Sequence, residues 1–215
     1  MLLYYITDRS QFPGDEASRR RRLLENIAQA ARSGVDYVQL REKDLSTRNL
    51  ETLALEVVAI FHELRTENQK LKTGFLINSR TDVALASGAD GVHLRSDDIT
   101  PAEVRRIWAQ SGAVTRGTVG VSCHTPGEVA DAAAQGADYV VFGPVFEKEL
   151  AAPAGLGALR EACKQKIPVF ALGGVTTANA ESCIQAGAAG VAGIRLFQKN
   201  DLRDVVAALR GPAAQ

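Results

Sequence analysis

The stretch ARSGVDYVQL, residues 31–40, joins the end of a helix to a buried strand through a single glycine. The pattern is a small-residue helix end, a glycine, a short linker and an apolar strand. It returns three more times along the 215-residue chain, as ALASGADGVHL (84–94), AAQGADYVVFG (133–143) and IQAGAAGVAGI (184–194). The four glycines are 54, 48 and 51 residues apart, which is twice the length of one strand-and-helix unit of roughly 25 to 30 residues. Each repeat therefore contains two such units.

Four further apolar stretches between the repeats supply the remaining strands. They are LLYYIT (2–7), GFLIN (74–78), VGVS (119–122) and PVFALG (168–173). The intervening helical patterns begin near Ser or Thr, and several end at Gly, as helix caps require. Eight strands that alternate with helices favour parallel pairing and a closed (β/α)8 barrel over an open doubly wound sheet. We therefore predict one α/β barrel domain over residues 1–215.

Composition limits the partners of such a barrel. Lys plus Arg and Asp plus Glu both number 25, so no global charge would attract nucleic acid or an anionic membrane, and any anion site must be local. The three cysteines are in no metal-ligand spacing, which is typical of reduced thiols. The N-terminus turns polar too soon for a signal peptide, and no apolar run has the length of a membrane span. We expect a cytoplasmic protein with small-molecule ligands; a homo-oligomer is compatible with the sequence.

The stretch YVQLREK begins like a core strand and ends in polar residues. Successive strand residues point to opposite sides, and active sites of these barrels lie at the carboxyl ends of the strands. Gln39, Arg41 and Lys43 share one parity, so they are predicted to line the mouth of the barrel, where two cations and an amide suit phosphate or pyrophosphate. The alternative is that the cations pair with neighbouring acids, either Glu42 and Asp44 or an acid on an adjacent strand.

The fourth strand, GVHLRSDD, places His93 and Arg95 on one face and two aspartates in the following loop. A carboxylate there could hold Mg²⁺ against a pyrophosphate, because hard cations prefer oxygen ligands. The alternative is that Asp97 or Asp98 belongs to the turn before the next helix. His93 is flanked by apolar residues, which favours a hydrogen-bonded core histidine over a catalyst.

The fifth strand ends in Ser122 and His124, which share the inward parity. A histidine at the mouth could move protons near neutral pH; capping or packing at the start of the next helix is the alternative. Strands seven and eight end in Gly173, Gly174 and Arg195, where barrels often bind phosphate through backbone N–H groups. Arg195 either adds charge to that phosphate or occupies its position.

Taken in order, these motifs resemble the thiamine phosphate synthase and TenI family of small (β/α)8 proteins. The resemblance runs nearly end to end, through YYITD, VQLREK, LINSRTDVALASGADGVHL, VGVSCHT, GADYVVFGPVF, ALGGV and QAGAAGVAGI. It implies that the Gln-x-Arg-x-Lys motif of residues 39–43 binds the pyrophosphate of hydroxymethylpyrimidine pyrophosphate. It also implies that Asn78 contacts the same substrate and that Gly174 binds a phosphate.

The chain departs from the synthase pattern where the metal is expected. Ser79 stands where the synthases have an aspartate that binds Mg²⁺, and Asp98 matches the second metal carboxylate. The usual Gly-Gln after the fourth strand is Arg95-Ser96. One of the two carboxylates for Mg²⁺ therefore remains.

A second departure follows Phe146. The resemblance predicts a Pro-Thr-x-Thr-Lys loop that contacts substrate phosphates, but the chain continues as EKELAAPAGL. Lys148 is the nearest candidate to replace the lost lysine. Arg195 also replaces a serine at the end of strand eight.

These departures favour a TenI-type thiazole tautomerase, which moves a proton within a thiazole carboxylate phosphate and needs no cofactor. His124 is the expected proton shuttle, with Ser122 beside it as a second catalytic candidate. The first alternative is a thiamine phosphate synthase that couples hydroxymethylpyrimidine pyrophosphate to thiazole phosphate, releases pyrophosphate and uses Mg²⁺. The second alternative is a non-catalytic or regulatory binding protein.

Overall fold

The structure is a computed structural model that describes residues 1–69, 71–146 and 152–211. Eight parallel strands pair in chain order, and the eighth pairs with the first, so the sheet closes into a barrel. The strands are β1 Leu2–Ile6, β2 Tyr37–Leu40, β3 Gly74–Asn78, β4 Gly91–Leu94, β5 Thr118–Cys123, β6 Tyr139–Phe142, β7 Val169–Ala171 and β8 Gly190–Gly193. The predicted (β/α)8 barrel is confirmed.

Helices cover the outside of the barrel between the strands. They are α1 Glu16–Arg32, α2 Thr47–Glu67, α3 Thr81–Ser87, α4 Pro101–Gln110, α5 Pro126–Ala134, α6 Gly155–Ala162, α7 Ala180–Gln185, α8 Arg195–Gln198 and α9 Leu202–Arg210. Side-chain caps fix several starts, because an N-cap oxygen satisfies a backbone N–H that has no partner within the helix. Thr100, for example, forms a reciprocal capping box with Glu103 at the start of α4.

Three of the strands predicted between the repeats have different ends in the structure. The first ends at Ile6 rather than Thr7. The fifth strand extends one residue further at each end than VGVS. The seventh strand stops at Ala171, before the predicted end at Gly173. Gly173 and Gly174 have φ values of 95° and 65°, and a strand cannot continue through this left-handed backbone.

Strand alternation divides the core into two layers. One layer lies between the strands and the helices, and it contains alternate strand residues such as Leu3 and Val38. The other fills the barrel interior, and its buried members are Tyr4, Ile6, Leu76, Tyr139, Val141, Phe170 and Ala192. Inward residues near the carboxyl ends of the strands therefore stand above a packed floor and face the barrel mouth.

None of the helices in the described part of the chain has the length and apolar character needed to cross a membrane. Cys123, Cys163 and Cys183 are free thiols.

Candidate active site

The ends of β2 and β3 bring two predicted substrate-binding residues together. Gln39 is buried, and its side-chain amide donates a 2.9 Å hydrogen bond to Oδ1 of Asn78. Oε1 of Gln39 is also buried, and it accepts no hydrogen bond from a described residue. Because buried acceptors are normally paired, this oxygen marks a position for a donor that the described protein groups do not supply.

Arg41 is half-buried at the mouth, and Lys43 beyond it is exposed. The backbone N–H of Arg41 donates to Oγ1 of Thr7 at 2.9 Å, but its guanidinium forms no hydrogen bond or ion pair with any described residue. Burial lowers the pKa of Arg41. The side chain lines a cavity with a volume of about 1060 Å³. An unpaired, partly desolvated guanidinium beside a cavity suits an anionic ligand.

The acids on either side of Lys43 are bound by Arg9. Nη1 of Arg9 lies 3.1 Å from Oε2 of Glu42 and 2.7 Å from Oδ1 of Asp44. Burial raises the pKa of Glu42, and its hydrogen bonds from Thr7 and Arg9 oppose that shift. Arg41 forms no ion pair with either acid, although the charges of Asp8 and Glu42 oppose the lowering of its pKa by burial.

The opposite wall of the same cavity contains Gly173 and Gly174. A Cβ on Gly173 would lie 2.6 Å from Cα of Pro144, so only glycine allows this approach of the β7 and β6 ends. The backbone N–H groups of Gly173 and Gly174 donate to no acceptor among the described residues. The carbonyls of these residues are used: Phe146 N donates to Gly173 O, and Asn179 Nδ2 donates to Gly174 O. Two free donors therefore remain at the predicted phosphate position.

Arg195 lines this cavity at the first position of α8. It is exposed, and within the described ranges its guanidinium contacts no acid. Lys199 lies on the same lining, one helical turn further on. The geometry favours Arg195 as a charge beside a bound phosphate, because its side chain is exposed and does not fill the space.

Ser122 and His93 meet inside the barrel, as their shared parity predicts. Nε2 of His93 lies 2.9 Å from Oγ of Ser122, and Nδ1 lies 3.1 Å from Oη of Tyr139. Burial, with a smaller contribution from the charge of Arg41, lowers the pKa of His93 to about 3. The interpretation of His93 as a hydrogen-bonded core histidine is confirmed.

His124 follows β5 at the top of the barrel and is exposed. Its Nδ1 lies 2.6 Å from the carbonyl oxygen of Gly143. A carbonyl only accepts, so Nδ1 carries a hydrogen and Nε2 of the neutral ring is an acceptor. The backbone N–H of His124 donates to Glu128 in the first turn of α5. His124 precedes Thr125, the N-cap of α5; its backbone is tied to the first turn of the helix, and Nε2 is left for acid/base chemistry.

The predicted Mg²⁺ ligand is Asp98, and Ser79 stands where the family has the other metal carboxylate; Nδ2 of Asn78 donates to Oγ of Ser79 at 3.1 Å. Ser79 and Asp98 line a groove of about 840 Å³ beside α3 and α4, rather than the cavity of Arg41. Oδ2 of Asp98 accepts the backbone N–H of Arg95 at 2.8 Å, and Oδ1 lies 3.8 Å from Nε of Arg95. No group of three or more His, Cys, Asp or Glu among the described residues could hold a metal. The carboxylate of Asp98 fits the turn before α4. Proteins usually hold Mg²⁺ through one or two carboxylates together with substrate phosphates and water, so Mg²⁺ binding at Asp98 stays a prediction.

One residue of the site was not predicted from the sequence, and one predicted residue lies outside the part of the chain that the structure describes. Arg9 was missed, although a charged residue just after a strand end, in YYITDR, is a signal for the barrel mouth. Lys148 and the start of the altered loop, residues 147–151, lie outside the described residues.

A closed (β/α)8 barrel with unpaired arginines and free backbone donors at its mouth defines a barrel protein suited to phosphorylated ligands. A family model described as thiamine monophosphate synthase matches residues 3–197. The chain belongs to this family, which is a family of enzymes of thiamine biosynthesis.

Similar proteins agree with the family assignment. A thiamine-phosphate synthase of Clostridium novyi is 37% identical over 93% of this chain and 91% of its own length. A Geobacter sulfurreducens protein, whose name also refers to thiamine-phosphate synthase, is 45% identical over 88% of this chain and 83% of its own. The solved structure of a thiamine phosphate pyrophosphorylase from Pyrococcus furiosus superposes with a TM-score of 0.79 at 30% identity, covering 97% of this chain and 93% of that one.

Proposed function

We propose that this protein couples hydroxymethylpyrimidine pyrophosphate to thiazole phosphate and releases pyrophosphate, forming thiamine phosphate. One observation carries the proposal: Arg41, Gly173, Gly174 and Arg195 line one cavity of about 1060 Å³. Two phosphorylated substrates that react with each other need anion-binding groups that face one reaction volume, and this cavity offers them. The names of the similar proteins support the same reaction.

In the proposed reaction, the bond between the pyrimidine methylene carbon and the pyrophosphate oxygen breaks. Pyrophosphate leaves with the electron pair, and the thiazole nitrogen supplies the pair for the new carbon–nitrogen bond. Negative charge therefore develops on the leaving oxygen. Arg41 would stabilise it, because its unpaired guanidinium is partly shielded from solvent and its attraction to an anion is less screened there.

The second substrate would be held by the opposite wall. The free N–H groups of Gly173 and Gly174 can donate to phosphate oxygens, and Arg195 adds a positive charge. Holding the phosphate there would orient the thiazole ring toward the carbon from which pyrophosphate departs. Gln39 and Asn78, joined by a hydrogen bond at the ends of β2 and β3, would lie on the side of the pyrimidine substrate.

A thiazole tautomerase, preferred from the sequence, is the second candidate. The observation in its favour is the fixed ring of His124, whose Nδ1 donates to Gly143 while Nε2 stays available to accept a proton. Ser79 leaves Asp98 as the one carboxylate at the family's two metal positions, which weakens one feature expected of a metal-assisted synthase but none that a tautomerase needs. A thiazole carboxylate phosphate also carries two anionic groups, so the cavity suits it as well; we place this reaction second because the similar proteins are named for the synthase reaction.

Parallel assays on the purified protein test the choice. One contains the pyrimidine pyrophosphate, thiazole phosphate and Mg²⁺; the other follows tautomerisation of the thiazole carboxylate phosphate. We expect thiamine phosphate to form, and we expect Arg41→Gln to lower kcat/KM about 100-fold, since a charge-assisted contact contributes about 1.5 to 3 kcal/mol. Arg106→Gln on α4, an exposed arginine that does not line the cavity, should have wild-type kinetics.

Tautomerase activity without thiamine phosphate formation would overturn the proposal in favour of the second candidate. Binding of both phosphorylated substrates without either activity would favour the regulatory protein considered from the sequence. Location in the cytoplasm, the absence of nucleic-acid and membrane partners and a homo-oligomeric state remain predictions from the sequence.

A further inference from the structure

A hydrogen-bonded chain of four side chains runs through the barrel interior to the mouth. Oη of Tyr4 lies 2.9 Å from Oη of Tyr139, which lies 3.1 Å from Nδ1 of His93; Nε2 of His93 lies 2.9 Å from Oγ of Ser122. Tyr4, Tyr139 and His93 are 0%, 2% and 2% exposed. Ser122 is half-buried, so the chain begins in the closed interior and ends where a ligand can reach it.

The hydrogen bonds of such a chain can all be donated toward the mouth or all away from it. The two directions differ in whether every buried hydroxyl hydrogen has an acceptor. If each group donates toward the mouth, Tyr4 donates to Tyr139, Tyr139 to Nδ1 of His93, and Nε2–H to Ser122. Every hydroxyl hydrogen below the mouth then has an acceptor. In the reverse direction the last hydrogen belongs to Tyr4, whose hydroxyl contacts no described group except Tyr139. A fully buried donor without an acceptor is disfavoured, so the reverse direction is the weaker one.

The ring of His93 must be neutral for either direction, because an imidazolium has no acceptor. Its pKa of about 3, which burial lowers, keeps it neutral at physiological pH. A neutral imidazole carries a hydrogen on one nitrogen only. Because Nδ1 accepts the hydrogen bond from Tyr139, the hydrogen is on Nε2 and is donated to Ser122.

We propose that the chain donates toward the mouth, that His93 carries its hydrogen on Nε2, and that the hydroxyl hydrogen of Ser122 is thereby directed at an acceptor atom of the substrate. The identity of this acceptor rests on the proposed function: it is a ring nitrogen of the pyrimidine substrate. Tyr4, Tyr139 and His93 are positioning residues, since only Ser122 reaches the ligand. Ser122, as a donor, would therefore bind a substrate ring with an unprotonated nitrogen at this position in preference to a ring with an N–H.

The direction can be measured without any ligand. In protein labelled with ¹⁵N-histidine, the His93 signals, identified by their loss in His93→Gln, should report hydrogen on Nε2 and none on Nδ1, unchanged between pH 5 and 8. Hydrogen on Nδ1, or a ring that titrates in this range, would overturn the proposal. Because the decisive spectrum is that of the wild-type protein, it does not depend on the folding of a variant.

Two further measurements address recognition. Ser122→Ala should weaken binding of hydroxymethylpyrimidine pyrophosphate about tenfold in calorimetry, as expected for one neutral hydrogen bond. Tyr139→Phe removes the donor to Nδ1 and should make a mixture of His93 tautomers appear. Tyr37→Phe is the matched control, because Tyr37 stacks on Tyr139 with ring centroids 5.6 Å apart but is outside the chain.

The outcomes separate this proposal from the proposed function. Wild-type affinity of Ser122→Ala, with the ligand bound by both proteins, would refute the role of Ser122. A protein that has hydrogen on Nε2 of His93 but binds no pyrimidine pyrophosphate would contradict the proposed function and confirm the direction of the chain.

Discussion

Arg9 and Asp44 form a two-point ion pair at the mouth of the barrel, with Nη1 2.7 Å from Oδ1 and Nη2 2.8 Å from Oδ2. The same guanidinium reaches Glu42, whose side chain is 1% exposed. Arg9 therefore neutralises two acids that are close in sequence to Arg41. This arrangement leaves Arg41 available for a ligand, because its nearest acids already have a cation.

Arg9→Gln should lower the free energy of unfolding by about 3 kcal/mol, because removing one partner leaves the buried carboxylate of Glu42 without its cation. Urea unfolding at neutral pH measures the loss. Arg20→Gln is the matched control, since Arg20 pairs with Glu56 at the surface and such pairs contribute about 0 to 1 kcal/mol. Equal losses in the two variants would show that Glu42 does not depend on Arg9.

The fold was predictable because its signals are local and repeated. The four copies of the pattern around Gly34, Gly88, Gly136 and Gly187 give the number of units, and each of these glycines has a positive φ at a helix end. Strand alternation then predicts that Gln39 points into the barrel, without knowledge of any contact. These features depend on a few consecutive residues, which is why the sequence contains them.

The contacts within the site were less predictable, because they join residues far apart in sequence. Tyr4 and Tyr139 are 135 positions apart, and nothing near either residue indicates the other. Strand alternation gives no prediction beyond the strand ends, where loops set the side-chain directions. Asp98 shows this, since the turn that places it toward Arg95 removes it from the cavity of Arg41.

His93 should make stability depend on pH. Its pKa of about 3 in the folded protein is below the usual 6.5, so the unfolded chain binds more protons between these values and the folded state loses stability as pH falls through this window. Between pH 7 and 5 the expected loss is about 2 kcal/mol.

Comparison with His93→Gln isolates this contribution, since groups such as Glu42 titrate in both proteins. The difference in free energy of unfolding between wild type and variant, from urea titrations at several pH values, should shrink toward pH 5. A difference that is constant with pH would mean that His93 binds protons equally in the folded and unfolded protein, so that burial does not lower its pKa.

Arg195 should contribute to phosphate affinity. Its exposed guanidinium lines the cavity beside Gly173 and Gly174, so Arg195→Gln should weaken binding of inorganic phosphate about tenfold or more in calorimetry. The wild-type affinity should fall as salt is added, because an exposed charge is screened, and the variant should show a smaller salt dependence.

Arg106→Gln provides the control for loss of net charge, because Arg106 is exposed on α4 and outside the cavity lining. If the two variants lose the same amount of phosphate affinity relative to wild type, Arg195 acts only through the overall charge of the protein. If neither differs from wild type, the phosphate does not contact Arg195.

Gly173→Ala should destabilise the protein more than Gly136→Ala, although both glycines have a positive φ, 95° and 84°. Left-handed backbone costs an alanine about 1 to 2 kcal/mol at either position. At Gly136 the added Cβ meets nothing within 4 Å, whereas at Gly173 it would lie 2.6 Å from Cα and Cβ of Pro144, and a backbone atom cannot move aside cheaply. Overpacking of this kind adds about 1 to 3 kcal/mol.

Urea unfolding gives the two losses, and phosphate binding should fall only in Gly173→Ala, because the shifted backbone carries the free N–H groups. Equal losses of stability, with phosphate affinity unchanged in both variants, would mean that the end of β7 can relax around a side chain and that its close approach to Pro144 is not needed for the site.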